Sequence, residues 1–139
     1  SDVYKRQCPL TALGVAPELS SSMTFPRLLG RQNASWALMS SEWISAERAK
    51  EMGLIFELCE PDDLMDQAMA AAHTLASKPI SSLIETKATI IEPMRDAMLA
   101  AHERENAAFA KLMGTPANIE AMTAFAEKRE PNFDGIEGG

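Results

Sequence analysis

The stretch LGVAPELSSSMTFPRLLG, residues 13–30, holds a single carboxylate, Glu18, between Pro17 and Leu19 and just ahead of three serines. The serines, followed by apolar residues at helical spacing, predict the start of a helix with a buried face. A carboxylate at that place can carry a proton in acid–base catalysis. It can equally be a solvated acid that gains from the helix dipole. The local pattern leaves both interpretations open.

Composition excludes several other kinds of chemistry. Of 139 residues, 13 are Lys or Arg and 20 are Asp or Glu, so the net charge is −7 and no basic surface for nucleic acid is expected. Cys8 and Cys59 lie far apart, and with only two His the chain has too few ligands for zinc and no disulfide framework. No apolar run reaches the roughly 18 residues of a membrane span. We therefore expect a cytoplasmic protein without a metal site.

The elements that position Glu18 are predicted to be mainly helical. Hydrophobic residues make up 46% of the chain and aromatic residues only 6%, which favours helices packed by Ala, Leu and Met. Apolar spacing predicts five or more helices, with one short strand at residues 54–58. The helix after Pro61 is expected to bury an apolar stripe, and Ile119, Met122 and Phe125 define a final helix. The stripe after Pro61 consists of Leu64, Met65, Ala68, Met69, Ala72 and Leu75.

A longer helix is predicted from about Met94 to Met113. Its charged residues Glu103, Arg104 and Glu105 are expected to lie on a solvated face.

Residues 1–7, SDVYKRQ, fit neither a native start nor any periodic element. The hexapeptide DVYKRQ is the translation of a transposon end used in preparing sequencing libraries. We expect these residues to be a translated adapter and not native sequence, with the natural protein interrupted at Cys8. The alternative is an unusual native N-terminus.

Three blocks together resemble the C-terminal part of the crotonase superfamily, the enoyl-CoA hydratases and isomerases. They are LGVAPELSSSMTFPRLLGR, ISAERAKEMGLIFELCEPDDL and AFAEKREPNF, in the family's order and roughly its spacing. The resemblance implies the C-terminal part of an α/β crotonase (ClpP/crotonase-like) spiral fold, with residues 8–60 ending the core spiral. Residues 61–139 would form a helical oligomerisation region that builds a homotrimer or a dimer of trimers.

The resemblance also implies a reaction on an acyl-CoA substrate, with no cofactor apart from the coenzyme A of the substrate itself. Hydratases of the family carry a glutamate where this chain has Leu10. Many Δ3,Δ2-enoyl-CoA isomerases carry their acid in the pattern LG-x-x-P-E, which here ends at Glu18, and TFP at residues 24–26 is similar to that branch. Glu18 would then move a proton from C2 to C4 in fatty-acid degradation, with Leu19 and Met23 as its apolar surroundings.

In the family, an aromatic residue and a lysine of the F-x-E-K-R segment approach the coenzyme A nucleotide. The matching residues here are Phe125 and Lys128, and a lysine suits a phosphate as a point charge. The alternative, which we favour for Phe125, is packing in the core; Lys128 would then be solvated.

Two other functions are kept open. The parent protein could be a hydratase or another crotonase lyase whose acid lies upstream, or this chain could be a non-catalytic helical oligomerisation module. Because the oxyanion hole of the family lies upstream of these blocks, we expect this chain alone to be inactive.

Overall fold

The structure, a computed structural model, describes residues 5–136, with the main chain only of Lys5. Within this range lie seven α-helices, two short 3-10 helices (Pro61–Asp63 and Glu92–Met94) and one pair of two-residue strands. The helices are α1 (Ser21–Leu29), α2 (Arg31–Met39), α3 (Ala46–Glu51), α4 (Leu64–Ala76), α5 (Ile80–Ile91), α6 (Arg95–Leu112) and α7 (Pro116–Glu127). The predicted mainly α architecture is confirmed.

The one sheet of the described range pairs β1 (Lys5–Arg6) antiparallel with β2 (Ile44–Ser45). Residues 1–4 of the expected adapter lie outside the described residues, whereas its residues 5 and 6 form β1. Helix α3 starts after Ser45, whose hydroxyl accepts a hydrogen bond from the amide of Arg48 at 3.1 Å and so caps the helix.

The strand predicted at residues 54–58 is wrong. These residues form bends followed by irregular chain after α3. The amides of Leu54 and Ile55 donate back to the carbonyl of Ala49, at 2.8 and 3.4 Å, and Lys50 Nζ donates to the carbonyl of Phe56. The backbone groups that a strand would offer to a neighbour therefore serve the end of the helix instead.

The main apolar core lies between α1, α2 and α3. Its buried members are Leu29, Ala34, Ala37, Ile44, Ala49 and Met52. A second contact joins α6 to α1, and the buried residues of α6 and α7 include the small residues Ala101, Ala121 and Ala124. Small side chains let these backbones approach one another closely, so the C-terminal helices come near the loop before α1.

Helix α4 exposes the face that the sequence predicts to be buried, and α5 is exposed as well. Every residue from 61 to 90 is exposed except Leu83, which is partly buried. The six-residue apolar stripe after Pro61 is therefore not covered within the described chain, contrary to the prediction. None of the helices between residues 5 and 136 combines the length and the apolarity that crossing a membrane requires.

Gly14 is fixed by a close approach of two backbones. Its φ is +65°, and a Cβ at this position would lie 2.9 Å from the Cα and the amide nitrogen of Asn118. Gly114 has a similar φ of +77°, but a Cβ there would meet nothing within 4 Å. The two glycines share the backbone conformation and differ in the space around them.

We expect Gly14→Ala to destabilise the fold more than Gly114→Ala. Both changes place a side chain at positive φ, which costs about 1–2 kcal/mol. Gly14→Ala adds overpacking against α7, about 1–3 kcal/mol further. Urea unfolding of both variants measures the difference, and equal losses would show that the contact between Gly14 and Asn118 does not constrain the fold.

Candidate active site

Glu18 occupies the first position of a tight turn that leads into α1. The amide of Ser21 donates to the carbonyl of Glu18 at 3.0 Å, and the central residues Leu19 and Ser20 have φ of 57° and 59°. Positive φ at both central positions is typical of a type I′ turn, in which glycine or asparagine is preferred. For residues such as leucine and serine it costs roughly 1–2 kcal/mol each. Other contacts must therefore hold this turn.

Glu105 of α6 supplies one set of these contacts. Its Oε2 accepts a hydrogen bond from the amide of Ser20 at 2.6 Å. Its Oε1 accepts from the amide of Ser22 at 2.8 Å and from the Ser22 hydroxyl at 2.5 Å. The carboxylate thereby satisfies amides at the N-terminus of α1, where the helix dipole favours a negative charge.

The prediction of a solvated face at residues 103–105 is wrong for Glu105, which is 4% exposed, and correct for Glu103 and Arg104. The sequence contained a usable signal. Glu105 lies four residues after the buried Ala101 and four before the partly buried Phe109, so helical spacing places all three on one face.

Ser20 occupies the N-cap position of α1 but does not cap the helix with its side chain. Its hydroxyl donates instead to the carbonyl of Met98 in α6 at 2.9 Å. The helix begins at Ser21, as predicted, while α6 contributes both the cap of α1 and an acceptor for its N-cap residue.

Asn118 of α7 holds the other end of the loop. Its Nδ2 donates to the carbonyl of Leu13 at 2.8 Å, and its Oδ1 accepts from the amide of Gly114 at 2.9 Å. Asn118 is only 4% exposed. The segment from Leu13 to Ser22 is thus attached to α7 at its start and to α6 at its end.

The side chain of Glu18 is exposed between these two attachments. Leu19 is 80% exposed, so it does not provide the apolar surroundings predicted for Glu18; Met23 is partly buried. Leu10 lies in the preceding turn, where its carbonyl accepts from the amide of Val15 at 2.9 Å. The loop therefore presents one carboxylate, that of Glu18. The other position considered for an acid is occupied by Leu10, which has an aliphatic side chain.

Phe125 and Lys128 lie at the far end of α7 from Asn118. Phe125 is 74% exposed, so the favoured interpretation of Phe125 as a core residue is wrong; Lys128 is exposed as well. Ten residues of helix separate Asn118 from Lys128, which corresponds to roughly 15 Å. The structure thus places the two residues matched to nucleotide binding well away from the point where α7 contacts the Glu18 loop.

Arg129, which the sequence did not single out, organises the chain beyond α7. Its guanidinium donates to both carboxylate oxygens of Glu120, at 2.6 and 3.0 Å, and to Glu127 at 2.7 Å. The amide of Asn132 also donates to Glu120, at 2.9 Å. The hydrogen bonds from Arg129, followed by the one from Asn132, lower the pKa of Glu120 from its ordinary 4.5 to about 2.

A lowered pKa makes the contribution of Glu120 to stability dependent on pH. The contribution is complete above pH 4.5 and is lost as the pH falls towards 2, because the carboxylate must then be protonated. We expect the stability difference between wild type and Glu120→Gln to shrink over this range. Denaturant unfolding at several pH values measures it, with Glu130→Gln as the exposed control. A difference that does not change with pH would contradict the assignment.

Comparison with known proteins agrees with this architecture. Residues 6–136 match the family model described as enoyl-CoA hydratase/isomerase. Crotonyl-CoA hydratase of Syntrophomonas wolfei is 31% identical over 125 residues, which cover 90% of this chain and 48% of that protein. The 2,3-dehydroadipyl-CoA hydratase of Escherichia coli is 28% identical, covering 91% of this chain and 50% of that protein.

Among solved structures, an enoyl-CoA hydratase/isomerase from Pseudoalteromonas atlantica superposes with a TM-score of 0.86 at 28% identity, over 93% of this chain and 52% of that one. The chain spans about half the length of the curated relatives it matches. Its helices correspond to a C-terminal part of the crotonase fold. The chain belongs to the enoyl-CoA hydratase/isomerase family.

Proposed function

We propose that this chain is part of an acyl-CoA-processing enzyme that acts as a Δ3,Δ2-enoyl-CoA isomerase with Glu18 as its acid–base group. The observation that carries the proposal is the Glu18 turn, in which two non-glycine residues adopt positive φ and neighbouring helices hold both ends of the loop. Backbone strain of this kind clusters at active sites. The side chain presented there is the one ionisable group of the LG-x-x-P-E pattern.

A single carboxylate is sufficient for this reaction. Glu18 would take a proton from C2 of a 3-enoyl thioester, which leaves an extended enolate, and would return the same proton to C4. The products are the 2-enoyl thioester and the original carboxylate. Hydrogen-bond donors for the enolate oxygen would come from another part of the enzyme, which in the family precedes the three sequence blocks of the resemblance.

Addition of water needs a further group to activate or position the water molecule. At the place where the hydratases carry a glutamate, this chain has Leu10, whose aliphatic side chain is partly buried. This difference supports isomerisation over hydration for Glu18.

We assign Lys128 to the phosphates of coenzyme A and Phe125 to the neighbouring nucleotide, since both side chains are exposed. Coenzyme A enters as part of the substrate, and the reaction proposed needs no other cofactor. We propose the cytoplasm as the location of the enzyme.

Hydration of a 2-enoyl-CoA is the second candidate, because the two curated relatives compared above are both named as hydratases. Its acid would then lie in a part of the enzyme outside this 139-residue chain. Measuring water addition to crotonyl-CoA alongside isomerisation of a 3-enoyl-CoA, both with the full-length parent protein, separates the two candidates.

We expect Glu18→Gln in the full-length parent to lower the kcat of isomerisation by about 10²–10⁴-fold, the range for loss of a general acid–base group. Between residues 5 and 136 the exposed Glu18 side chain makes no hydrogen bond that supports the fold, so the unfolding midpoint should stay near that of wild type. Absorbance of the conjugated product measures turnover. Glu103→Gln, which changes an exposed glutamate of α6, is the matched control. Wild-type turnover in Glu18→Gln would remove Glu18 from the mechanism.

We further propose that residues 61–139 form an oligomerisation region and that the parent protein is a homotrimer or a dimer of trimers. The uncovered apolar residues of α4 and α5 support this proposal, because large exposed apolar patches mark contact surfaces.

Light scattering of the full-length protein should give three or six times the mass of one chain. Met69→Glu, in the apolar stripe of α4, should reduce that mass, because a charge would have to be buried in the contact. Gln67→Glu adds the same charge at a polar position of α4 and should leave the mass unchanged. A monomeric wild type would overturn the proposed assembly.

A further inference from the structure

We propose that Glu105 is a positioning residue for Glu18. Its buried carboxylate holds the turn from Glu18 to Ser21 in the conformation that presents Glu18 to the substrate. This inference rests on the proposed function of Glu18 and adds a residue that is 87 positions away in the sequence.

The contacts of Glu105 fix the orientation of the turn as well as its place. Oε2 binds the amide of Ser20, a central residue of the turn, and Oε1 binds the amide of Ser22 in the first turn of α1. Because each oxygen holds a different amide, the planar carboxylate sets the angle between the turn and the helix. The hydroxyl of Ser20, bound to Met98, adds a third point of attachment to α6.

An ordinary helix cap would not do the same. A serine or aspartate at the N-cap would satisfy the amides of α1 locally, without attaching the turn to α6. The chain instead places a charged group, the Glu105 carboxylate, in the interior. None of the Lys and Arg side chains described in residues 7–136 forms a salt bridge with this carboxylate. Hydrogen bonds to an ionised acceptor are roughly twice as strong as those between neutral groups. They can therefore hold a turn whose backbone is strained.

The turn is also the element most sensitive to loss of these contacts. Leu19 is exposed and contributes little packing, and both central residues would relax towards negative φ if released. Such a change rotates the main chain at Glu18 and moves its carboxylate. Misplacement of a catalytic group by about 1 Å can cost on the order of 10²-fold in rate.

The test is a double-mutant cycle of Glu105→Gln and Glu18→Gln in the full-length parent. Glutamine keeps the size of the side chain but replaces one acceptor by a donor. Either the amide of Ser20 or the amide of Ser22 therefore loses its acceptor. We expect Glu105→Gln alone to lower kcat by about 10–100-fold while KM changes little. In the Glu18→Gln background the same change should have almost no further effect, because the group that it positions is already absent.

A kinetic isotope effect separates positioning from general loss of structure. With substrate deuterated at C2, Glu105→Gln should show a larger isotope effect than wild type, since proton abstraction becomes slower relative to the other steps. A fraction of unfolded enzyme would lower the apparent kcat and leave the isotope effect unchanged. Glu103→Gln, two residues away and exposed, should match wild type in every measurement.

Each outcome distinguishes this inference from the proposed function. Full activity of Glu18→Gln would refute the role of Glu18, and with it the positioning role. Loss of activity in Glu18→Gln together with wild-type kinetics in Glu105→Gln would refute the positioning role alone. Equal effects of Glu105→Gln in both backgrounds would also refute it, because Glu105 would then act independently of Glu18.

If Glu105→Gln does not fold, Ser22→Ala decides the question. This variant removes one hydrogen bond of Glu105, from an exposed serine, and leaves both amide contacts in place. A several-fold lower kcat and a raised isotope effect, both absent in the Glu18→Gln background, would support positioning. Unchanged kinetics in Ser22→Ala would overturn it.

Discussion

The contact between the Glu105 carboxylate and the amides of Ser20 and Ser22 joins the two parts of this chain. The N-terminal part has its own core between α1, α2 and α3, whereas α6 and α7 bury mainly small side chains. Burial of apolar area alone therefore contributes little free energy to the contact between α6 and α1. Charge-assisted hydrogen bonds, which have strict geometry, compensate by fixing the register of α6 on the start of α1.

Asn118 acts on the same loop through the same principle. Its amide side chain reaches the carbonyl of Leu13, and Gly14 lets the backbone of α7 come close enough for that bond. The loop with Glu18 is thus an irregular segment whose conformation is set by two buried polar side chains. In a loop, where no ladder or helix determines the backbone, such contacts are the main source of precision.

The sequence predicted the helices well and their burial less well. Ser45, the N-cap of α3, and Gly53, which has a φ of +80° just after that helix, act locally, so residue types of this kind can indicate where a helix begins and ends. Burial of Leu64 or Phe125 depends on what covers it, and periodicity identifies an apolar face without identifying its partner. The prediction of a strand at residues 54–58 was wrong for a related reason, because a strand requires a neighbour with free backbone groups. Glu18 could be selected from its pattern, but its supporting residues Glu105 and Asn118 are distant in the sequence, and only the fold brings them together.

In the proposed mechanism, Glu18 of the loop and Glu105 of α6 have different tasks. Glu105 is buried, and each of its oxygens accepts from an amide, so its carboxylate holds the backbone of the turn. Glu18 is exposed, and the turn uses only its main-chain carbonyl, so its carboxylate is left available for the role proposed for it. A group that moves a proton must be able to gain and lose charge, whereas a group that holds a strained turn must keep its hydrogen bonds throughout. With the two proposed tasks on separate side chains, the turn would keep its conformation while Glu18 carries out the proton transfer proposed for it.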